Sequence, residues 1–485
     1  MKKNRFLDLY QNFNTKERKQ FVLYVHAAFF NQNKNLKALI EAIEQCIKTK
    51  KAVDKREMYS LCFPQETYNE LKYNNLISDL LYLLYDFLAQ SRYAREKVLQ
   101  KQLLIRTLLD QEWLEPCVMQ LERYTQLQEA QAWQDSNYWY AAYQLQDLQD
   151  QHLMSQEKRT YTPHLQSRSD ALDRFYQLEK IKIASDMASR STAVKADYHC
   201  VFIDDIIHWY QEEQPEELAN FPAFQIYLAA YNMFTHKDDK AYLQLKSLLQ
   251  TYLKLIPQQE LRLLYTYVLN FAVLRINSGE TQYYQEILLL YKLLLDEAII
   301  FKNGTLTQWT FTNIITAGIR TRDYEWTERF IEDYQHYLAP DLRQNVYTYN
   351  LVSLYFEKKD YPSALRMLHN VEFTDAFYHL SAKLIQLKSY YLLAENEALL
   401  ALINATRRFV QRNRQLSDYQ KKSSLNFLHI LQRLSQLSYA AADIQDAGRF
   451  KKQLKNDLIV LQPLANKQWL EEVLEQNFSF STKHQ

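Results

Sequence analysis

The sequence predicts an all-α protein, with an N-terminal helical module followed by an α-solenoid of stacked helical hairpins. Three observations lead there. Glycine occurs only at positions 279, 304, 318 and 448, and tight β-hairpins favour glycine in their turns. Apolar side chains recur at helical spacings along nearly the whole chain. In the C-terminal half a set of aromatic, small and large positions returns about every 34 residues, a period suited to helix pairs that cannot bury their apolar edges alone. At 485 residues the chain outgrows one compact core, so several modules or an extended stack are expected.

Taken in chain order, Asn14 stands three residues before Glu17, and Asp54 three before Glu57. Both pairs have the spacing of a capping box, which starts a helix by satisfying backbone N–H groups that lack partners. Over Asn74–Phe87 the apolar residues Leu76, Ile77, Leu80, Leu81, Leu83, Leu84 and Phe87 cover too wide a face for one neighbour, which places this helix inside a bundle. Gln156–Ser169, with Thr162-Pro163, and Glu212–Pro222, with Pro215 and Pro222, read as breaks. A helix is expected over Asp197–Tyr210. The resulting organisation is an N-terminal module at 1–95, a middle helical segment at 96–215, a hairpin array at 216–478 and a frayed tail at 479–485.

Within the array, Asn345–Thr374 carries Leu351, Val352, Tyr355, Asp360-Tyr361, Ala364 and Leu368. A step of 34 residues leads to Ile385, Gln386, Ser389, Ala394-Glu395, Ala398 and Leu402. A step of 37 backwards sets Asp323-Tyr324 on Asp360-Tyr361 and Ile331 on Leu368. Pro362 suits the first turn of a helix, where its missing N–H costs nothing. On these residues, positions 309–412 resemble degenerate tetratricopeptide (TPR) repeats. Tyr355, Ala364 and Leu368 occupy the family's aromatic, small and large packing positions, while Val352 and Ala376 stand where it has a small residue and a proline. The resemblance implies TPR-like hairpins whose first helices line a concave surface. Carried over position by position, that surface comprises Arg320, Tyr349, Ser353, Phe356, Lys383, Leu387 and Tyr390. Its mixture of aromatic and basic groups suits a peptide of acidic character. A second resemblance rests on Glu17, Phe21, Phe29-Phe30-Asn31, Leu36, Leu39, Tyr59, Phe63, Tyr68 and Ser78-Asp79-Leu80. This stretch is similar to the start of a bacterial family of long helical proteins, which implies bacterial origin and a fixed N-terminal module, but no activity.

The scattered glycines exclude a P-loop, a dinucleotide fingerprint and a GxSxG nucleophile elbow, all of which need glycines a few residues apart. No HExxH occurs, and no catalytic residue, cofactor or metal ligand is assigned. Asp204 and His208 share a helical face beside Asp205, a pattern able to hold a metal. It lacks a Glu-x-x-His partner from a second helix, so a surface pair is the simpler reading. His199-Cys200 is adjacent in sequence only, since neighbouring residues on a helix point apart. Cys46, Cys62, Cys117 and Cys200 form no CxxC pair and read as reduced thiols.

Met1-Lys2-Lys3-Asn4-Arg5 is followed by no apolar signal-peptide core, and no segment approaches the roughly 18 apolar residues of a spanning helix. A cytoplasmic location without membrane insertion is therefore expected. The 58 basic and 57 acidic side chains leave a net charge of +1, which weighs against a dedicated nucleic-acid binder. Arg407, Arg408, Arg412 and Arg414, followed by Lys421-Lys422, form a basic run that suits nucleic acid or an acidic tail, or else a helix C-terminus. The 37 tyrosines, clustered at Tyr138-Trp139-Tyr140, Tyr283-Tyr284 and Tyr390-Tyr391, serve packing edges and wet surfaces alike. The expected function is a non-enzymatic scaffold or adaptor that binds a protein or peptide on its concave surface. The alternatives are a nucleic-acid-associated regulator using the Arg407–Lys422 region and a helical enzyme with an unrecognised site.

Overall fold

A computed structural model describes residues 4–156, 161–193, 196–213, 215–369, 375–440 and 444–479. Among these, every regular element is helical, and the isolated β-bridge between Lys302 and Thr305 lies in a turn. Residues 480–485 of the expected tail and 157–160 of the first expected break lie outside the described residues. The chain forms two compact units, one of residues 1–184 with 199–227 and one of 185–198 with 228–485.

In the first unit, α1 (Arg5–Tyr10), α2 (Thr15–His26), α3 (Lys34–Lys48), α4 (Lys55–Cys62) and α5 (Glu70–Tyr93) share one core. Phe6, Phe21, Leu39, Ile43, Leu80 and Leu84 are fully buried in it. The capping box at α2 is complete: Asn14 Oδ1 accepts from the Lys16 and Glu17 N–H groups, and the Glu17 carboxylate accepts the Asn14 N–H at 2.9 Å. At α4 only half of it forms. Asp54 accepts from Arg56 and Glu57 N–H, but the Glu57 carboxylate is drawn instead to Lys51 Nζ at 2.8 Å. A second cluster, around Ile105, Cys117, Tyr124 and Leu148, joins α6 (Lys97–Asp110), α7 (Leu114–Glu129) and α8 (Ser136–Met154).

There follow α9 (Pro163–Ala193), α10 (Ile203–His208), a π-helical turn at Trp209–Glu213, α11 (Pro215–Ala219) and α12 (Pro222–Thr235). The helix expected from Asp197 begins only at Ile203. Phe202, just ahead of it, has φ 66°, a left-handed conformation that a right-handed helix cannot run through. The unit boundaries fall inside α9 and α12.

The second unit continues with α13 (Asp239–Thr251), α14 (Gln258–Asn277), α15 (Tyr283–Asp296), α16 (Gln308–Arg320), α17 (Tyr324–Tyr334) and α18 (Pro340–Glu357). It is completed by α19 (Tyr361–His369), α20 (Ala376–Leu392), α21 (Asn396–Arg412), α22 (Asp418–Ala440), α23 (Ile444–Val460) and α24 (Lys467–Ser479). From α13 onward each helix packs against the next, and α18 also packs against both α16 and α20.

The connectors explain this regularity. In the turns after α16, α18 and α20, Arg322, Lys359 and Ala394 have φ of 60°, 63° and 58°. The following N–H groups of Asp323, Asp360 and Glu395 donate to the carbonyls of Gly318, Tyr355 and Tyr390 at 3.0, 2.9 and 3.0 Å. This is Schellman closure of a helix, made without glycine at the left-handed position. It makes Gly318, Tyr355 and Tyr390 equivalent, which sets steps of 37 and 35 residues. The forward step of 34 expected from sequence is therefore corrected by one residue. Ala364 and Leu368 correspond to Leu399 and Ile403, both fully buried, and not to the partly buried Ala398 and Leu402.

Candidate functional site

That register gathers one face of three helices around a cavity of about 280 Å³. α16 supplies Thr312, Ile315, Thr316, Ile319 and Arg320, and α18 supplies Tyr349, Asn350, Ser353, Phe356 and Glu357. α20 adds Ser381, Leu384, Ile385 and Lys388, and the turn before α24 adds Asn466. Thr312, Tyr349 and Leu384 are equivalent positions under the steps of 37 and 35; so are Thr316, Ser353 and Lys388. The cavity is thus made by the hairpin register itself.

Hydrogen bonds hold its walls in place. The Asn350 amide donates to Val346 O at 2.8 Å and to Thr312 Oγ1 at 3.2 Å, tying α18 to α16. The Ser353 hydroxyl donates to Tyr349 O at 2.8 Å. The Tyr349 and Tyr378 rings meet with centroids 5.4 Å apart. Thr316, Arg320 and Glu357 are exposed, forming the rim.

Lys388 is the buried cationic group of the site, with 9% exposure. Its amine donates to Asn466 Oδ1 at 3.5 Å and lies 4.3 Å from the Phe356 ring centroid and 5.8 Å from that of Trp469. Burial pushes its pKa down to about 8; the Glu357 carboxylate opposes this and the Arg320 charge adds to it.

Of the residues carried over from the repeat pattern, Arg320, Tyr349, Ser353 and Phe356 come together here. Lys383, Leu387 and Tyr390 do not. Leu387 is fully buried with Leu399, Ile403 and Phe427, and Tyr390 packs at the edge of the same core. Lys383 is half-buried, and burial lowers its pKa. One residue is about 100° of helical rotation, so a step that is short by one points to the wrong face of α20. The corrected step leads to Leu384 and Lys388. The turn hydrogen bonds would have signalled it, but no glycine marks those turns in the sequence.

The remaining candidates are dispersed. Arg407 donates to Gln432 Oε1 at 2.9 Å, while Arg408, Arg412 and Arg414 are exposed on and just after α21. Asp204, Asp205 and His208 are exposed on α10. Among the described residues no three His, Cys, Asp or Glu side chains gather to hold a metal. His199 is exposed and Cys200 half-buried in a non-helical stretch, and all four cysteines are free thiols. Among the described residues no helix is long and apolar enough to cross a membrane. Many tyrosines bury the ring and send the hydroxyl to a carboxylate at the edge, as in Tyr10 to Glu44 at 2.7 Å and Tyr355 to Glu328 at 3.0 Å.

No protein-family model matches the chain, and no curated protein or solved structure matches it.

Proposed function

We propose that the hairpins of residues 309–412 are TPR-like units of an α-solenoid, and that the face shared by α16, α18 and α20 binds an acidic segment of a partner protein. The observation that carries this reading is the convergence of equivalent positions from three successive first helices on one cavity. Tyr349 and Phe356 offer ring surface, and Thr316 and Ser353 offer hydroxyls to a peptide backbone. The cations Arg320 and Lys388 outnumber the carboxylate of Glu357. A stack of helices presents such an extended surface without needing a deep catalytic pocket. Free thiols suit a reducing compartment, and we place the chain in the cytoplasm as a non-enzymatic adaptor.

Selection of random peptides on the whole chain tests the reading. The selected peptides are expected to be rich in Asp and Glu. The double variant Arg320→Glu/Tyr349→Ala is expected to lose affinity at least about tenfold, or roughly 1.4 kcal/mol. A double variant that unfolds at the parental urea midpoint and still binds the peptides with parental affinity contradicts the assignment.

A further inference from the structure

The floor of the cavity holds a group that peptide recognition does not require. A buried ammonium is ordinarily matched by a carboxylate, yet among the described residues Lys388 has no ion pair. Its hydrogen bond to Asn466 is long, at 3.5 Å, and therefore weak. The faces of Phe356 and Trp469 favour its cationic form only modestly. Glu357 on the rim favours that form and Arg320 disfavours it, while burial dominates both. With a pKa of about 8, roughly one amine in ten is neutral at pH 7, against roughly one in 2,500 for an exposed lysine. The cavity, at about 280 Å³, falls below the range that drug-sized ligands fill, so its occupant is small.

We propose that Lys388 is a nucleophilic amine that captures a small carbonyl acid, such as a 2-oxo acid, as a reversible imine, with the ligand's carboxylate held by Arg320 at the rim. The nitrogen lone pair forms the C–N bond. The two amine protons pass to the carbonyl oxygen, which leaves as one molecule of water. Asn466 Oδ1 and the two rings orient the amine, and Arg320 selects the charged ligand. This inference goes beyond peptide binding and does not rest on it.

The test exposes the whole protein at pH 7 to pyruvate with cyanoborohydride, which reduces an imine to a stable secondary amine, and locates the label by peptide mass spectrometry. Lys388 is expected to be labelled at least about tenfold faster than the exposed Lys34 and Lys359, given its larger neutral fraction. Arg320→Gln is expected to slow labelling by pyruvate severalfold more than labelling by acetone, a neutral ketone. Both probes share the loss of neutral amine that follows removal of the Arg320 charge, and only pyruvate loses a partner for its carboxylate. Labelling of Lys388 no faster than of Lys34 overturns the proposal, and so does equal slowing of both probes by Arg320→Gln. Peptide affinity plays no part in the readout, so failure of the peptide-binding reading and failure of this one are told apart.

Discussion

The Lys388 amine, with 9% exposure and no ion pair among the described residues, costs the folded state free energy for as long as it carries a proton, because the unfolded chain hydrates it fully. Its folded pKa of about 8 lies below the roughly 10.4 of an unfolded chain. Between those values the unfolded state holds the proton and the folded state has shed it. The group's contribution to stability therefore rises with pH across that window and is flat below it. Lys388→Met keeps the unbranched stem and removes the charge. It is expected to be more stable than the parent at pH 7, with an advantage that shrinks between pH 8 and about pH 10. Urea midpoints at both ends of the window measure this; a difference that does not change with pH would show an amine as well hydrated as a surface lysine. None of it is legible at the residue itself. Lys388 sits in sequence between Leu387 and Ser389 like any helical lysine, and its oxygen partner Asn466 is 78 residues away. The tyrosine content is easier to read, because a large ring with one polar tip has few places to go other than the edge of a core.

Helical periodicity made the presence of helices readable almost throughout, and the capping box at Asn14 and Glu17 formed in full. The register between hairpins was harder. The residues that close the turns after α16, α18 and α20 are Arg322, Lys359 and Ala394, which share no side-chain chemistry. The glycine scarcity that excluded phosphate loops also removed the usual mark of a helix end. Prolines misled in the opposite sense, since Pro163, Pro215 and Pro222 open helices α9, α11 and α12, where their fixed φ fits, and do not separate the compact units. Gly318 in α16 has a packing role, since a methyl group there would overlap the hydroxyl of the fully buried Thr327 in α17. Gly318→Ala is expected to cost about 1–3 kcal/mol through overpacking. Thr327→Ala in the same chain should recover part of that loss. Thermal melts of the two single variants and the double variant measure the coupling; strictly additive losses would show that this contact does not set the separation of α16 and α17.

For the whole molecule, the near balance of 58 basic and 57 acidic groups means that any electrostatic selection of a partner is local. The face of α16, α18 and α20, with Arg320 and Lys388 set against Glu357, is such a local imbalance. Four of the residues named from the sequence, Arg320, Tyr349, Ser353 and Phe356, line its cavity, and the three named on α20 do not, because the spacing from α18 to α20 is one residue longer than the sequence pattern suggested. Partner binding at this face is measured by placing a photocrosslinking amino acid at Thr316, exposed on the rim of the cavity, in the full chain inside its native cells. The control places it at Leu243 on α13, which is 59% exposed. A single protein crosslinked from Thr316 and not from Leu243, through a segment rich in Asp or Glu, is the result expected. No adduct from Thr316, or the same adducts from both positions, would contradict the claim that this face is where the protein meets its partner.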